Sequence, residues 1–335
     1  MSFAKGRKYY LVKPGKGAIM VFRHLREDDI ESFVNHCSNV FGNVPPKWFH
    51  DHWLYDPDRN PEAMFLAEKD GQIISTAQVF AREMYIKGTP VAIGAIGDVT
   101  TLEEYRRQGI STHLMRMCID FMSNRSIPVS MLYTDIHDFY SNMGWFTVPR
   151  RFVKVDLTTA DRLPDGYELL PFSGNDLMEA EELYHLSAGR YDGAFTRTSP
   201  EYWSDWVAYY LLRPQALKKN GQMVAWIDIK YCPQIVLTDP VKTGDDLYLC
   251  DYATVPGEDW FLQMLAEYSR KTGDPTNAII PSPLLPNHYG SFCNEDRMSM
   301  FRLNMPFKLG ELKIDSAGKL AQALSNTLLW QTDVY

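Results

Sequence analysis

The sequence predicts an α/β (α+β) fold of two tandem domains, each a mixed central sheet flanked by helices, followed by a C-terminal helix and tail. Three observations carry that reading. A chain of 335 residues is long for one small domain and fits two of ordinary size, each able to bury a core. Its first half alternates strand and helix patterns around one long apolar strand. Its second half repeats that alternation in a faded form.

Residues 1–17 form a polar arm, and the first domain is expected over 18–158. AIMVFRHL reads as a strand. EDDIESFVNHCSNVF reads as an amphipathic helix, because Ile30, Phe33, Val34 and Cys37 recur at helical spacing. NVPPKWFHDHWLYDPDRNPEA is a loop-rich aromatic stretch, and MFLAEKDGQIISTAQVFAREMYI is a hairpin turning at Lys69-Asp70-Gly71. VAIGAIGDVTT is the long apolar strand. The polar loop LEEYRRQG then opens into the helix ISTHLMRMCIDFM, with Ile110, Leu114, Met117, Cys118 and Phe121 inward, and the buried strand PVSMLYT follows. Strand, helix and strand in that order imply a parallel pair with a right-handed crossover. A helical turn, IHDFYSNM, leads through Gly144 into the strands WFTVPRRFVKVDL.

TTADRLPDG, around 159–166, is a linker rich in turn residues. The second domain, 167–308, repeats the order: YELLPFSGNDLMEAEELYHL as strand and helix, QMVAWIDIKY as a central strand, DLYLCDYATVPGEDWFLQMLAEYSRK as strand, loop and helix. Asp251-Tyr252-Ala253-Thr254 echoes Asp98-Val99-Thr100-Thr101, but nothing in the second half matches the RRQG loop. Residues 309–335 supply a helix with Asp315 or Ser316 near its N-cap, and an aromatic tail in which Trp330 and Tyr335 suggest docking.

Composition narrows the class of function. Hydrophobic residues make up 45% and charged residues 23%, as in an ordinary globular protein. A net charge of -8 argues against general nucleic-acid or acidic-membrane binding and leaves amine substrates compatible. The five cysteines (Cys37, Cys118, Cys232, Cys250 and Cys293) show no zinc-type spacing and are expected to be reduced and mostly buried. The N-terminus has no secretory h-region, and no run approaches the roughly 20 apolar residues of a membrane span. A cytoplasmic protein is expected, with homo-oligomerisation open.

In EYRRQGIST a glycine follows two arginines and the loop enters a helix directly. Successive backbone N–H groups and the positive end of the helix dipole can therefore face an anion. Gly109 lets the backbone come close. Arg106 and Arg107 add charge-assisted hydrogen bonds, and Ser111 or Thr112 offers a hydroxyl to the same phosphates. The alternative is a plain helix start with solvated arginines. The pattern is neither GxGxxG nor a P-loop, which disfavours hydride and phosphoryl transfer.

VTTLEEYRRQGISTHLM resembles motif A of the Gcn5-related N-acetyltransferase (GNAT) superfamily, and FYSNMGW resembles its motif B, in the expected order and separation. Arg106 and Gly109 match the family pattern [R/Q]-x-x-G-x-[G/A], with Ser111 replacing the final small residue. The resemblance is strong over 18–158. The tandem layout is similar to the Eis-type acetyltransferases, whose second domain is degenerate, and LYTDIHDFYSNMGW also resembles fungal lysine acetyltransferases.

This resemblance implies acetyl-CoA as co-substrate, held by Val99, Thr100, Thr101, Arg106, Arg107, Gln108, Gly109, Ile110, Ser111 and Thr112. It further implies that the strand at Val99 splays from its neighbour and that the Val99 N–H binds the thioester oxygen. Tyr140 matches the proton donor to the departing thiolate, a role that suits a phenol. For the base, the Eis-type pattern points to the terminal carboxylate at Tyr335, with Asp98, Asp135 and His137 as competitors. His137 has the side-chain type best matched to neutral pH.

Trp48, His50, His52, Trp53 and Tyr55 lie where the superfamily places an acceptor loop, and they fit aromatic walls for an amine or simple packing. No metal site is expected, because the His50/His52 pair lacks a third ligand in a defined pattern. Arg190, Tyr191, Trp203, Trp206 and Asp228 either complete an acceptor pocket or pack between domains. The function expected is acetyl transfer to a primary amine of a small molecule. A protein or peptide acetyltransferase and a non-catalytic acyl-CoA sensor are the alternatives.

Overall fold

A computed structural model of the chain describes residues 9–11, 20–199, 201–231, 246–273, 275–285 and 291–333. The first unit contains strands β1 (Tyr9–Leu11) and β2 (Met20–His24), helices α1 (Ile30–Phe41) and α2 (Pro46–Tyr55), and the hairpin β3 (Met64–Lys69) and β4 (Gln72–Ile86). Then come β5 (Thr89–Thr101), α3 (Ile110–Asn124), β6 (Val129–Tyr133), α4 (His137–Ser141), β7 (Phe146–Thr147) and β8 (Arg150–Asp156).

The second unit runs β9 (Tyr167–Pro171), α5 (Asp176–Ser187), a π-helical segment Tyr202–Val207 continuing into α6 (Ala208–Tyr210), and the hairpin β10 (Gln215–Lys219) and β11 (Gln222–Lys230). It continues through β12 (Asp246–Thr254), α7 (Phe261–Thr272), β13 (Asn277–Pro281), β14 (Ser291–Asp296) and β15 (Ser299–Leu303). A small ribbon, β16 (Phe307–Leu309) and β17 (Leu312–Ile314), precedes α8 (Ala317–Ala323). Ser316 caps α8 by accepting the Lys319 N–H at 3.4 Å.

The repeat is visible in the sheets. One has the order β1-β2-β3-β4-β5-β6-β15-β7 and the other β14-β8-β13-β12-β11-β10-β9. In both, a hairpin leads to a long strand, a helix crosses over, and the next strand returns parallel: β5 beside β6 in one, β12 beside β13 in the other. The two sheets also exchange a strand. β8, expected to finish the first unit, pairs antiparallel with β13 and β14 of the second sheet. β15, from the far end of the second unit, pairs with β6 and β7 of the first. Only strand pairing, which is non-local, distinguishes these positions.

The sequence reads as a loop-rich aromatic stretch over 43–63. The structure corrects this: Pro46 stands in the first turn of α2, where its fixed φ suits a helix and its missing N–H costs nothing. In α3 the buried face includes Ile110, Leu114, Cys118 and Phe121 as expected, with Met115 and Met122 added and Met117 only partly covered. Each fully buried Leu or Met there contributes roughly 1.5–3 kcal/mol. The face of the sheet opposite α3 is covered by α1 and α2, through Phe33, Val34, Cys37 and Phe49, and by α8 through Leu320 and Ala323. Cys37, Cys118 and Cys250 are buried and Cys293 is exposed, all as free thiols. Cys232 lies outside the described residues. No helix among the described residues is long and apolar enough to cross a membrane.

Candidate active site

The site begins as an irregularity in β5. Gln78 of β4 stands opposite Gly97, and Thr76 opposite Thr100, so Asp98 and Val99 together face Ala77. This is a β-bulge, and Asp98 at φ 52° supplies the turn that bends the strand. The parallel ladder between β5 and β6 runs from Ile93/Val129 to Ile96/Leu132. Beyond it the strands part, β5 continuing to Thr101 and β6 to Tyr133. The Phe80 ring lies on Gly97 so closely that a Cβ there would sit 2.9 Å from it.

Buried hydroxyls brace the bulge from behind. Thr76 Oγ1 donates to the Asp98 carbonyl at 2.6 Å and lies 2.6 Å from Thr100 Oγ1, which in turn is 2.7 Å from His36 Nε2. Burial pushes the His36 pKa down to about 4, so the imidazole is neutral and takes part as a hydrogen-bonding group. Ser75 donates to the Thr100 carbonyl at 2.5 Å and lies 2.8 Å from Thr101 Oγ1. Thr101 reaches Ser111 Oγ at 2.5 Å. Thr100 and Thr101 therefore turn their hydroxyls inward, leaving backbone as what they can offer a ligand.

Gly109, at φ 78°, is the N-cap of α3 and supplies no side-chain cap. The first N–H groups of the helix are thereby left for an outside acceptor. Arg106 is tethered through Nε to the Thr101 carbonyl at 3.1 Å, and Gln108 bonds the Glu104 carbonyl at 3.1 Å. Arg106, Arg107, Gln108 and Gly109 are exposed, Ser111 and Thr112 half-buried, and the Ile110 side chain enters the core. The arrangement can hold a diphosphate by backbone dipoles and two guanidinium groups.

Tyr140 lies on α4 packed at its edge against Phe139 and Trp145, and its hydroxyl takes no hydrogen-bond partner among the described residues. Burial, aided by Cys118 and Asp135, pushes its pKa up to about 12. It is thus a proton-bearing phenol at neutral pH. Burial likewise raises Asp98 to about 7. Asp135 is exposed, whereas His137 begins α4 half-buried, its Nε2 without a hydrogen-bond partner among the described residues. Tyr335 lies outside the described residues.

On α2, His50 is exposed while His52 is buried, so the two face opposite sides of the helix. Among the described residues, no group of three or more His, Cys, Asp or Glu is placed to hold a metal. His52 sits among Trp48 at 4.0 Å, Trp206 at 5.3 Å and Tyr210 at 5.9 Å between ring centroids, with Phe80 edge-on at 6.5 Å. Among the described residues neither ring nitrogen of His52 has a hydrogen-bond partner, nor does the Tyr210 hydroxyl. Burial and the nearby Arg82 guanidinium hold the His52 pKa at about 3. Tyr209 donates its hydroxyl to Asp51 and closes the same seam.

The five second-unit residues singled out in the sequence do not act as one set. Trp206 joins His52, but Trp203 packs on Tyr184 and Trp226. Asp228 accepts the Leu212 and Arg213 N–H groups, and Arg190 lies near the surface with Tyr191 and Asp259. The sequence reading missed His36, Phe80, Arg197 and Asp333. Only Asp251 carried a signal, as the echo of Asp98.

Residues 21–148, which contain the bulge, the glycine-capped helix and Tyr140, match the family model of the acetyltransferase (GNAT) domain. That match and the geometry point to the same family resemblance. No protein of curated function matches the sequence. Among solved structures, the fold is similar to a GCN5-related N-acetyltransferase from Anabaena variabilis, at 16% identity and TM-score 0.65, over 87% of this chain and 76% of that one. It is also similar to Eis1 from Mycobacterium abscessus, at 14% identity and TM-score 0.62, over 85% and 74%. The N-myristoyltransferase of Saccharomyces cerevisiae, solved with myristoyl-CoA, shares the fold at 10% identity and TM-score 0.53, over 91% and 89%. These likenesses are of fold, and they extend beyond the matched residues to both units. β15, from beyond the matched residues, completes the sheet of the first unit.

Proposed function

We propose that the chain transfers an acetyl group from acetyl-CoA to a primary amine of a small molecule, by direct attack of the amine on the thioester. The observation that carries the reading is the parting of β5 from β6 beside a glycine-capped helix. The diphosphate would rest on the N–H groups from Gly109 to Thr112, with Arg106 and Arg107 on its oxygens. The pantetheine arm would run along the backbone of Val99 to Thr101 into the gap, with the Val99 N–H on the thioester oxygen. Polarising that carbonyl where charge develops accelerates attack. Tyr140, kept protonated by burial, would give its proton to the departing thiolate.

A small acceptor is favoured over a protein because the second unit covers α2. Trp206 and Tyr210 close on His52 and Trp48, where a polypeptide acceptor needs an open groove. Asp98, raised to about 7 at the bulge, is suited to pass the amine's proton outward. The test is CoA release from acetyl-CoA against a panel of small amines and lysine peptides. Release with small amines that depends on Tyr140 supports the reading. Release with peptides alone shifts the acceptor class, and tight acetyl-CoA binding without release to any amine overturns catalysis.

A further inference from the structure

The bulge in β5 interrupts the regular ladder to β4, since Asp98 and Val99 together face Ala77. A side chain serves the displaced backbone. Thr76, on β4 and fully buried, donates from Oγ1 to the Asp98 carbonyl at 2.6 Å.

The direction of that bond orders the groups behind it. A carbonyl oxygen only accepts, and a threonine hydroxyl has one proton to give. With the Thr76 proton spent on Asp98, the 2.6 Å contact between Thr76 Oγ1 and Thr100 Oγ1 carries the Thr100 proton. Thr100 is held in turn by His36 Nε2 at 2.7 Å, and the Cys37 sulfur lies 3.7 Å from Thr76 Oγ1. Thr76, Thr100, His36 and Cys37 are all buried, and hydrogen bonds shielded from bulk water are stronger than exposed ones.

The carbonyl they hold shares its peptide group with the Val99 N–H. The described residues contain no cis peptide bond, and in a trans peptide the C=O and N–H point in opposite directions. β5 lies between β4 and β6. A carbonyl pinned to Thr76 of β4 therefore turns the Val99 N–H away from β4, on the side where β5 parts from β6. Asp98 stands at φ 52°, a backbone region that is costly for residues other than glycine, so this orientation needs an anchor to persist.

We propose that Thr76 is a positioning residue that aims and polarises the Val99 N–H, with Thr100 and His36 holding its hydroxyl in line. The assignment rests on the acetyl-transfer reading, in which that N–H binds the thioester oxygen. The donor is then fixed before substrate arrives, and no reorganisation is needed as charge develops on the oxygen. A hydrogen bond accepted by the Asp98 carbonyl also draws electron density through the amide and makes its N–H a stronger donor, which is the cooperativity of linked hydrogen bonds. No proton moves along the chain during the reaction.

The test reads the thioester directly. The carbonyl stretch of isotope-labelled acetyl-CoA bound to the protein falls in frequency as its oxygen accepts a stronger hydrogen bond. Thr76→Val keeps the side-chain shape and removes the hydroxyl. It is expected to raise that frequency and to lower kcat by about tenfold, a fraction of the loss when an oxyanion donor is removed outright. The KM for acetyl-CoA should stay within about threefold of wild type. Thr76→Ser, which keeps the hydroxyl, should restore band and rate together. Thr100→Val should move both in the same direction by less, and it carries the comparison if Thr76→Val does not fold. A brace that only held the fold would lower stability and leave the band in place. An unshifted band in the valine variants, or a wild-type rate in them, overturns the assignment. A wild type that releases no CoA to any amine instead overturns the acetyl-transfer reading.

Discussion

The hydroxyl oxygens of Thr101 and Ser111 stand 2.5 Å apart, tying the last residue of β5 to the first turn of α3. The contact sets the loop between them, because Arg106 hangs from the Thr101 carbonyl. Ser111→Ala leaves Thr101 bonded to Ser75 and opens the far side. The expected result is a loss of about 1 kcal/mol of stability and several-fold weaker acetyl-CoA binding. Thermal unfolding with calorimetric titration of acetyl-CoA checks both, and unchanged affinity would separate this contact from the cofactor loop.

Asp98 gives a pH-dependent prediction with a definite sign. Burial raises its pKa from 3.8 to about 7 in the folded chain, so between those values the folded state binds the proton that the unfolded state has lost. Its contribution to stability is neutral below about pH 4, falls as pH rises, and levels off above about pH 7. Asparagine tolerates the positive φ of this position and carries no charge. Asp98→Asn should therefore unfold at a higher temperature than wild type at pH 8, with the gap closing toward pH 4. A gap that is constant across that range would show that Asp98 does not titrate this way.

The β5–α3–β6 run was legible in the sequence because its signals are local. An apolar run, a glycine after two arginines and a helix face repeating through Leu114, Cys118 and Phe121 all fall within a few turns of one another. Partners far apart in the chain left no such trace. β8 and β15 alternate like any strands, and only the three-dimensional pairing of Val153 with Ile280 and of Phe301 with Met131 reveals which sheet each joins. The ion pair of Arg197 with Asp333 was invisible for the same reason. His36 is one polar residue among several on an amphipathic helix, and only its contact with Thr100 sets it apart.

Tyr140 supplies the chemical prediction. With its pKa raised to about 12, the phenol stays protonated across the neutral and mildly alkaline range, so its own ionisation should not limit turnover there. Tyr140→Phe keeps the ring that packs on Trp145 and removes only the proton. The expected outcome is a fall in kcat of about 100-fold, with acetyl-CoA affinity and unfolding temperature close to wild type. Steady-state rates paired with direct binding test it. A fall in affinity that matches the fall in rate would assign Tyr140 to binding instead.

Gly193 tests the tail independently of the chemistry. It lies at φ 94°, and a Cβ there would come 2.3 Å from Thr327 Cγ2 and 2.8 Å from the Leu328 carbonyl oxygen. Its N–H bonds the Tyr85 carbonyl of β4 at 2.7 Å, while Asp192 accepts the Leu328 N–H at 2.6 Å. Gly193 is thus pressed between the first sheet and the tail, and Gly193→Ala must move one of them. Gly221, at φ 85° with nothing near its Cβ position, is the control, since Gly221→Ala carries only backbone strain. Gly193→Ala should cost about 1–3 kcal/mol more than Gly221→Ala. It should also speed amide exchange at Leu328 to Asp333 while acetyl-CoA binding holds. If amide exchange in the tail is unchanged, Gly193 does not hold the tail against the first sheet.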